Sequence, residues 1–175
     1  MTKVMHDSAT PAHGQQVISA CAFIHYDFNG TTKVFLPKRA DTKKFLPGLY
    51  ELPGGHVDFG EDIVDGLKRE IKEELEMTVK IGDPFAVFTY ENTIKGSHSV
   101  EVIYFATFIE QIDQIVIHPD DHARYDWFSK DEVIERRVEM VPTEHAVHKE
   151  SDDDAEYKAI LRGFELLSGA RVNYA

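Results

Sequence analysis

The sequence has one cysteine, Cys21, so no internal disulfide can form. Set in an apolar run, that thiol reads as a small buried hydrophobe rather than a nucleophile. Basic residues are scarce: 19 Lys and Arg stand against 31 Asp and Glu, a formal net charge of −12. An acidic chain repels nucleic-acid backbones and anionic membranes, so nucleic acid and membrane partners are not expected. A small phosphorylated substrate stays compatible, because a bound metal reverses the local field. No stretch approaches the ~20 apolar residues of a membrane span. The polar segment through Gln16 has no apolar signal core, which makes a cytoplasmic location the expectation. His56, His98, His122, His145 and His148 show no zinc-ligand spacing.

What is present suits one domain with a real core: 175 residues, 42% hydrophobic and 11% aromatic. Residues 1–175 read as a single domain, with 1–16 expected as a flexible or loosely packed N-terminal segment. Val17–Tyr26 and Lys33–Pro37 read as strands around the turn Asp27-Phe28-Asn29-Gly30. Lys43–Gly48 reads as a basic loop, and Leu49–Leu52 as a short strand. Glu61–Glu76 is the strongest helix, with Ile63, Val64, Leu67, Ile71 and Leu75 at helical spacing. Short apolar runs with a turn at Gly82–Pro84 follow, then a strand over Ser99–Ile109. Asp126–Ser129 reads as a short strand, Ser129 and Glu132 as a capping box, and Asp153–Ser168 as a final helix. Strands around one long early helix, with more helices late, imply an α/β layered domain with a mixed sheet.

The densest chemistry lies between Gly54 and Glu76. Glu70, Glu73 and Glu74 stand at i, i+3 and i+4, so one side of a helix presents all three. At about 100° per residue they fall beside the apolar stripe, where unneutralised like charges destabilise a helix and lose hydration. An oxygen-seeking Mg²⁺, or Mn²⁺ in its place, removes both objections. The plain alternative is a solvated acidic face. Arg69 can pair with a carboxylate, and Glu61 is the candidate. Eight residues is about two helical turns, so the pair requires Glu61 to leave helical geometry. Gly54 and Gly55 allow positive φ and close approach of backbone to ligand, where a backbone carbonyl would complete a metal site.

The run Gly55, five residues, Glu61, seven residues, Arg69-Glu70-Ile71-Lys72-Glu73-Glu74 resembles the signature of the nudix hydrolases, and Leu52-Pro53-Gly54-Gly55 before it also matches. One position departs: Glu76 stands where the family usually has glycine, which questions the usual sharp helix exit. The resemblance implies a nudix-type α/β/α sandwich with a mixed β-sheet. It implies metal binding through Glu70, Glu73, Glu74 and the Gly55 carbonyl, and hydrolysis of a nucleoside diphosphate linked to another group. Metal ions would clamp the pyrophosphate oxygens and activate a water for attack on phosphorus. Glu73 is the chosen general base, with Arg69 and Glu61 completing the catalytic set.

For substrate handling, Arg39, Gly54, Gly55 and Asp121 are the expected contacts. Lys43 and Lys44 extend the basic stretch, and Asp120, Asp121 and His122, in the loop before Trp127, are candidates for a further catalytic acid, with a solvated polar loop the plain alternative. Phe45, Tyr50, Phe88 and Tyr90 suit either base stacking or core packing. A nucleoside triphosphate is the favoured substrate. A nucleotide sugar or ADP-ribose is the first alternative, and a non-catalytic nucleotide-binding regulatory domain the second. An isomerase or an RNA-end processor fits less well. The sequence leaves the oligomeric state open, a homodimer among the options.

Overall fold

An Asn-Gly pair sets the first hairpin. Asn29 (φ 55°) and Gly30 (φ 89°) both take left-handed backbone, the requirement of a two-residue turn between right-twisted strands. Phe28 therefore pairs with Thr31, joining β1 (Gln16–Phe28) to β2 (Thr31–Arg39). The computed structural model describes residues 12–142, 154–169 and 172–174. The further strands are β3 (Gly54–His56), β4 (Val79–Asn92), β5 (Ser97–Phe108) and β6 (His122–Phe128). The helices are α1 (Ile63–Leu75), α2 (Lys130–Glu135) and α3 (Ala155–Gly169).

The sheet runs β4-β5-β1-β2-β6. It is mixed, because β1 and β5 are parallel while the other pairs are antiparallel. Beside β1, strand β3 pairs with Ser19–Cys21 and β2 with His25–Phe28, so β1 splays its neighbours apart. The period of two along β1 builds both layers. Ala20, Ala22 and Ile24 face Leu67, Ile71 and Leu75 of α1. Cys21 and Phe23 face Val133 of α2 and Ala159, Ile160 and Phe164 of α3. The result is the expected α/β/α sandwich. Against α3, Gly163 lets the Phe23 ring lie where a Cβ would be only 2.7 Å away. Ser129 caps α2 as anticipated, accepting from the Glu132 N–H while the Glu132 carboxylate accepts from the Ser129 N–H.

Two segments differ from expectation. Gly82–Pro84 is no turn between elements but an irregularity inside one long strand, where pairing with β5 shifts register around Pro84. Proline has no N–H to give the ladder, so it sits at the bulge. Leu49–Leu52 makes only an isolated bridge, Tyr50 with Lys38. Left-handed backbone at Leu46 and Gly48 spends that stretch on turns. Of the N-terminal segment, residues 1–11 lie outside the described residues. Ala12 is buried, and its N–H donates to the Lys95 carbonyl at 2.9 Å. Asp153, His145 and His148 also lie outside the described residues. Among the described residues no helix is long and apolar enough to cross a membrane.

The exit of α1 answers the question raised by Glu76. That residue adopts φ 55°, ψ 16°, the left-handed conformation that glycine serves best, and its N–H closes on the Lys72 carbonyl at 3.1 Å. The sharp exit is kept at the expense of strain. Glu76→Gly is expected to stabilise the fold by about 0.5–1 kcal/mol in urea unfolding, the relief exceeding glycine's added chain entropy. A loss of stability would show that Glu76 makes compensating contacts.

Candidate active site

Glycine at position 54 is obligatory for two reasons. Its φ is 138°, and a Cβ there would sit 2.3 Å from the Ala20 carbonyl oxygen. β3 can therefore lie flat on β1 only with glycine at this point. Gly54→Ala is expected to cost about 3 kcal/mol or more in denaturant unfolding, by combined overpacking and backbone strain. An unchanged midpoint would contradict this packing. At Gly55 a Cβ would meet the Glu70 carboxylate at 2.9 Å, so the bare backbone leaves room for that side chain.

The loop from β3 into α1 folds around Glu61. Asp62 caps the helix, its side chain accepting from the Val64 and Asp65 N–H groups. Glu61 thus lies before the helix, which resolves the two-turn problem posed by its spacing to Arg69. Its Oε2 accepts from the Asp58 N–H at 3.0 Å, and Gly66, with no Cβ to intrude, gives the carboxylate its place over α1. Arg69 donates through Nε to Glu61 Oε1 at 2.9 Å and through a terminal nitrogen to Glu61 Oε2 at 3.0 Å. The same guanidinium reaches the His56 carbonyl at 3.0 Å, Glu70 at 2.8 Å and Glu73 at 3.3 Å. These hydrogen bonds, that to Glu61 foremost, hold Arg69 protonated well above the usual arginine range. One cation therefore ties the strand, the loop and the helix together.

Glu70, Glu73 and Glu74 all line one cavity of about 570 Å³, together with Gly54, Gly55 and Asp58. Glu74 accepts from the Gly54 N–H at 3.3 Å. Burial, then the charges of Glu51, Glu70 and Asp121, push the Glu74 carboxyl well above the usual carboxylate range. Burial also raises Glu70, against the pull of Arg69. Glu73 is the exposed member, its side chain 54% accessible. Among the described residues no three His, Cys, Asp or Glu side chains cluster as a metal site. The helix brings the three glutamates to one cavity, and Arg69 holds two of them. The donor set nonetheless fits a hard divalent cation: Glu74 is crowded by Glu51, Glu70 and Asp121, and the Glu70 carboxylate lies against the Gly55 backbone.

The other expected contacts also border this cavity, already engaged. Arg39 is clamped to Glu51 at 2.7 and 2.9 Å and donates to the Phe45 carbonyl at 2.9 Å. Asp121 pairs with Lys43, and its neighbour His122 bonds Glu51 at 3.1 Å. Burial alone would raise Glu51, but Arg39 and His122 outweigh it and hold the carboxyl below its usual range. Lys44, Phe45, Phe88 and Tyr90 line the cavity, whereas Tyr50 is buried against Phe128. Trp127 packs in the layer beneath α1, against Phe35. Cys21 is buried at the cavity wall, where desolvation pushes its thiol well above the usual range, as its reading as a hydrophobe requires.

Carboxylates in the lining that the sequence reading did not single out include Glu51, Glu91, Glu101 and Glu156. Glu101 carried a usable signal. It occupies an inward position of an apolar strand, in phase with Ile103 and Phe105, where a carboxylate needs a reason. Burial pushes its carboxyl up to about 7, with Glu51 adding to the rise.

Fold and signature together define a hydrolase of the NUDIX class. A family model described as the NUDIX domain matches residues 18–151, and the chain belongs to that family. With membership comes the general chemistry, hydrolysis of a phosphorus anhydride bond. Nucleoside triphosphatase NudI of Salmonella paratyphi B is 28% identical over 105 residues, spanning 56% of this chain and 74% of that protein. The MutT NUDIX hydrolase of Burkholderia pseudomallei superposes with a TM-score of 0.57 at 28% identity, covering 67% of this chain and 86% of that one. The NUDIX domain of Shewanella oneidensis NrtR, solved with ADP ribose, shares the fold with a TM-score of 0.64 at 19% identity, covering 87% and 89%.

Proposed function

We propose that the protein is a Mg²⁺- or Mn²⁺-dependent pyrophosphohydrolase that cleaves a nucleoside triphosphate to the monophosphate and pyrophosphate. The observation that carries this reading is the meeting of Glu70, Glu73 and Glu74 with the Gly54-Gly55 backbone in one cavity. Those three side chains and the Gly55 carbonyl would hold the metal. When bound, it supplies charge neutralisation for the phosphates and a more acidic water. Its exposure, the greatest of the three, supports Glu73 as the group that would accept a proton from solvent water. Arg69 fixes Glu70 and competes with metal for it, while Glu61 and the His56 carbonyl keep the guanidinium in place. Lys44 supplies positive charge in the cavity lining for terminal phosphate oxygens, beside Lys43, which is paired with Asp121. The similarity to a nucleoside triphosphatase supports this substrate over a nucleotide sugar or ADP-ribose.

A screen with Mg²⁺ tests the proposal, scoring phosphate and pyrophosphate release across nucleoside triphosphates, ADP-ribose and nucleotide sugars. Pyrophosphate from a triphosphate is expected. Turnover confined to ADP-ribose or a nucleotide sugar would overturn the substrate assignment.

A further inference from the structure

The wall of the cavity away from α1 holds a group that the hydrolytic chemistry does not use. Glu101 is 6% exposed and borders the cavity, yet its Oε1 has no hydrogen-bond partner among the described residues. The strand pairings fix its place. His56 of β3 pairs with Ser19 of β1, Ser19 with Glu101 of β5, and Glu101 with Phe88 of β4. These four form one rung across the sheet. At about 4.8 Å between strands, Glu101 stands roughly 10 Å from β3, where the glycines and Glu70 meet. Phe45 and Tyr90 border the same part of the cavity with nearly parallel rings, 16° apart at 6.1 Å. A planar ring system stacked there would present its edge to the carboxylate while its phosphates reached toward β3 and α1.

A carboxylate offers acceptors only. Guanine is the one standard base with two adjacent N–H donors on a single edge, N1–H and the 2-amino group. Adenine and cytosine set an acceptor nitrogen beside their amino group, and uracil flanks its N–H with carbonyls. Each of those would turn a lone pair toward a carboxylate oxygen. We propose that Glu101 is the base-reading residue of this cavity and that the base it selects is guanine. This rests on the nucleotide reading above. One N–H donor would fill the buried Oε1 that has no partner among the described residues and the second would reach the other carboxylate oxygen, which is the condition for strong discrimination.

Calorimetric binding of GMP, IMP, AMP and CMP to the full chain tests this, with wild type and Glu101→Gln side by side. IMP keeps N1–H and lacks the 2-amino group. The wild type is expected to bind GMP at least ~10-fold tighter than the other three. Glu101→Gln is expected to bring GMP down to the level of IMP while AMP and CMP change less than about threefold. The GMP-to-IMP comparison in wild type needs no variant, so a misfolded substitution cannot decide the outcome. Equal binding of all four by wild type, unchanged GMP affinity in the variant, or an equal loss for all four would each overturn the proposal. GMP has no anhydride bond, so the two readings fail separately. Guanine-selective binding without triphosphate hydrolysis would sink the enzymatic proposal alone, and hydrolysis without base preference would sink this one alone.

Discussion

Glu73→Gln and Glu74→Gln are each expected to lower kcat in Mg²⁺ by about 10²–10⁴-fold, the range for loss of a group acting in the transition state. The two should differ from ordinary destabilising substitutions in what happens to the fold. Glu73 is half in solvent and contacts Arg69 at 3.3 Å. Glu74 is pressed among Glu51, Glu70 and Asp121, and a neutral amide there relieves repulsion while still accepting from the Gly54 N–H. Thermal unfolding of metal-free protein should therefore be unchanged for Glu73→Gln and unchanged or raised for Glu74→Gln. Normal turnover in both variants would overturn the assigned site. Lost turnover with a sharply lowered melting temperature would make the effect structural.

Arg69→Ala should destabilise the protein by about 3 kcal/mol, because it leaves the Glu61 carboxylate and the His56 carbonyl without their shared donor. Both side chains of the Arg69–Glu61 pair are only about a fifth exposed, 21% and 20%, so water replaces those bonds poorly. Arg69→Lys should recover less than half of the loss, since one ammonium cannot reproduce a paired contact to Glu61 together with bonds to Glu70 and His56. A double-mutant cycle with Glu61→Gln, read by urea unfolding, isolates the coupling. A coupling below about 0.5 kcal/mol would reduce the pair to a surface ion pair.

The parts of this molecule legible in sequence are those governed by local chemistry. Asn29-Gly30 dictated its own turn, Ser129 and Glu132 their capping box, and the helical spacing of Leu67, Ile71 and Leu75 their buried face. The Glu61–Arg69 pair was legible too, together with its condition that Glu61 leave the helix. What escaped depends on long-range pairing. Pro84 looked like a chain turn because its bulge exists only against β5. Arg39 looked free for phosphate because its partner Glu51 lies across an irregular loop. Glu101 had a local signal in its inward phase on β5, but its place beside the cavity is set by pairing with Ser19 and Phe88 on neighbouring strands. Helical spacing put the glutamates of α1 on one side of the helix, but not their side-chain state, since Arg69 holds Glu70 and Glu73.

Crystals soaked with Mn²⁺ and a non-hydrolysable nucleoside triphosphate analogue give the most direct test of metal-assisted hydrolysis at α1, because anomalous scattering locates the ions without assumption. Manganese peaks bound by Glu70, Glu73, Glu74 and the Gly55 carbonyl oxygen, bridging to the analogue's phosphates, are the expected result. Manganese on other ligands, with Arg69 still holding Glu70 and the phosphates elsewhere, would contradict it.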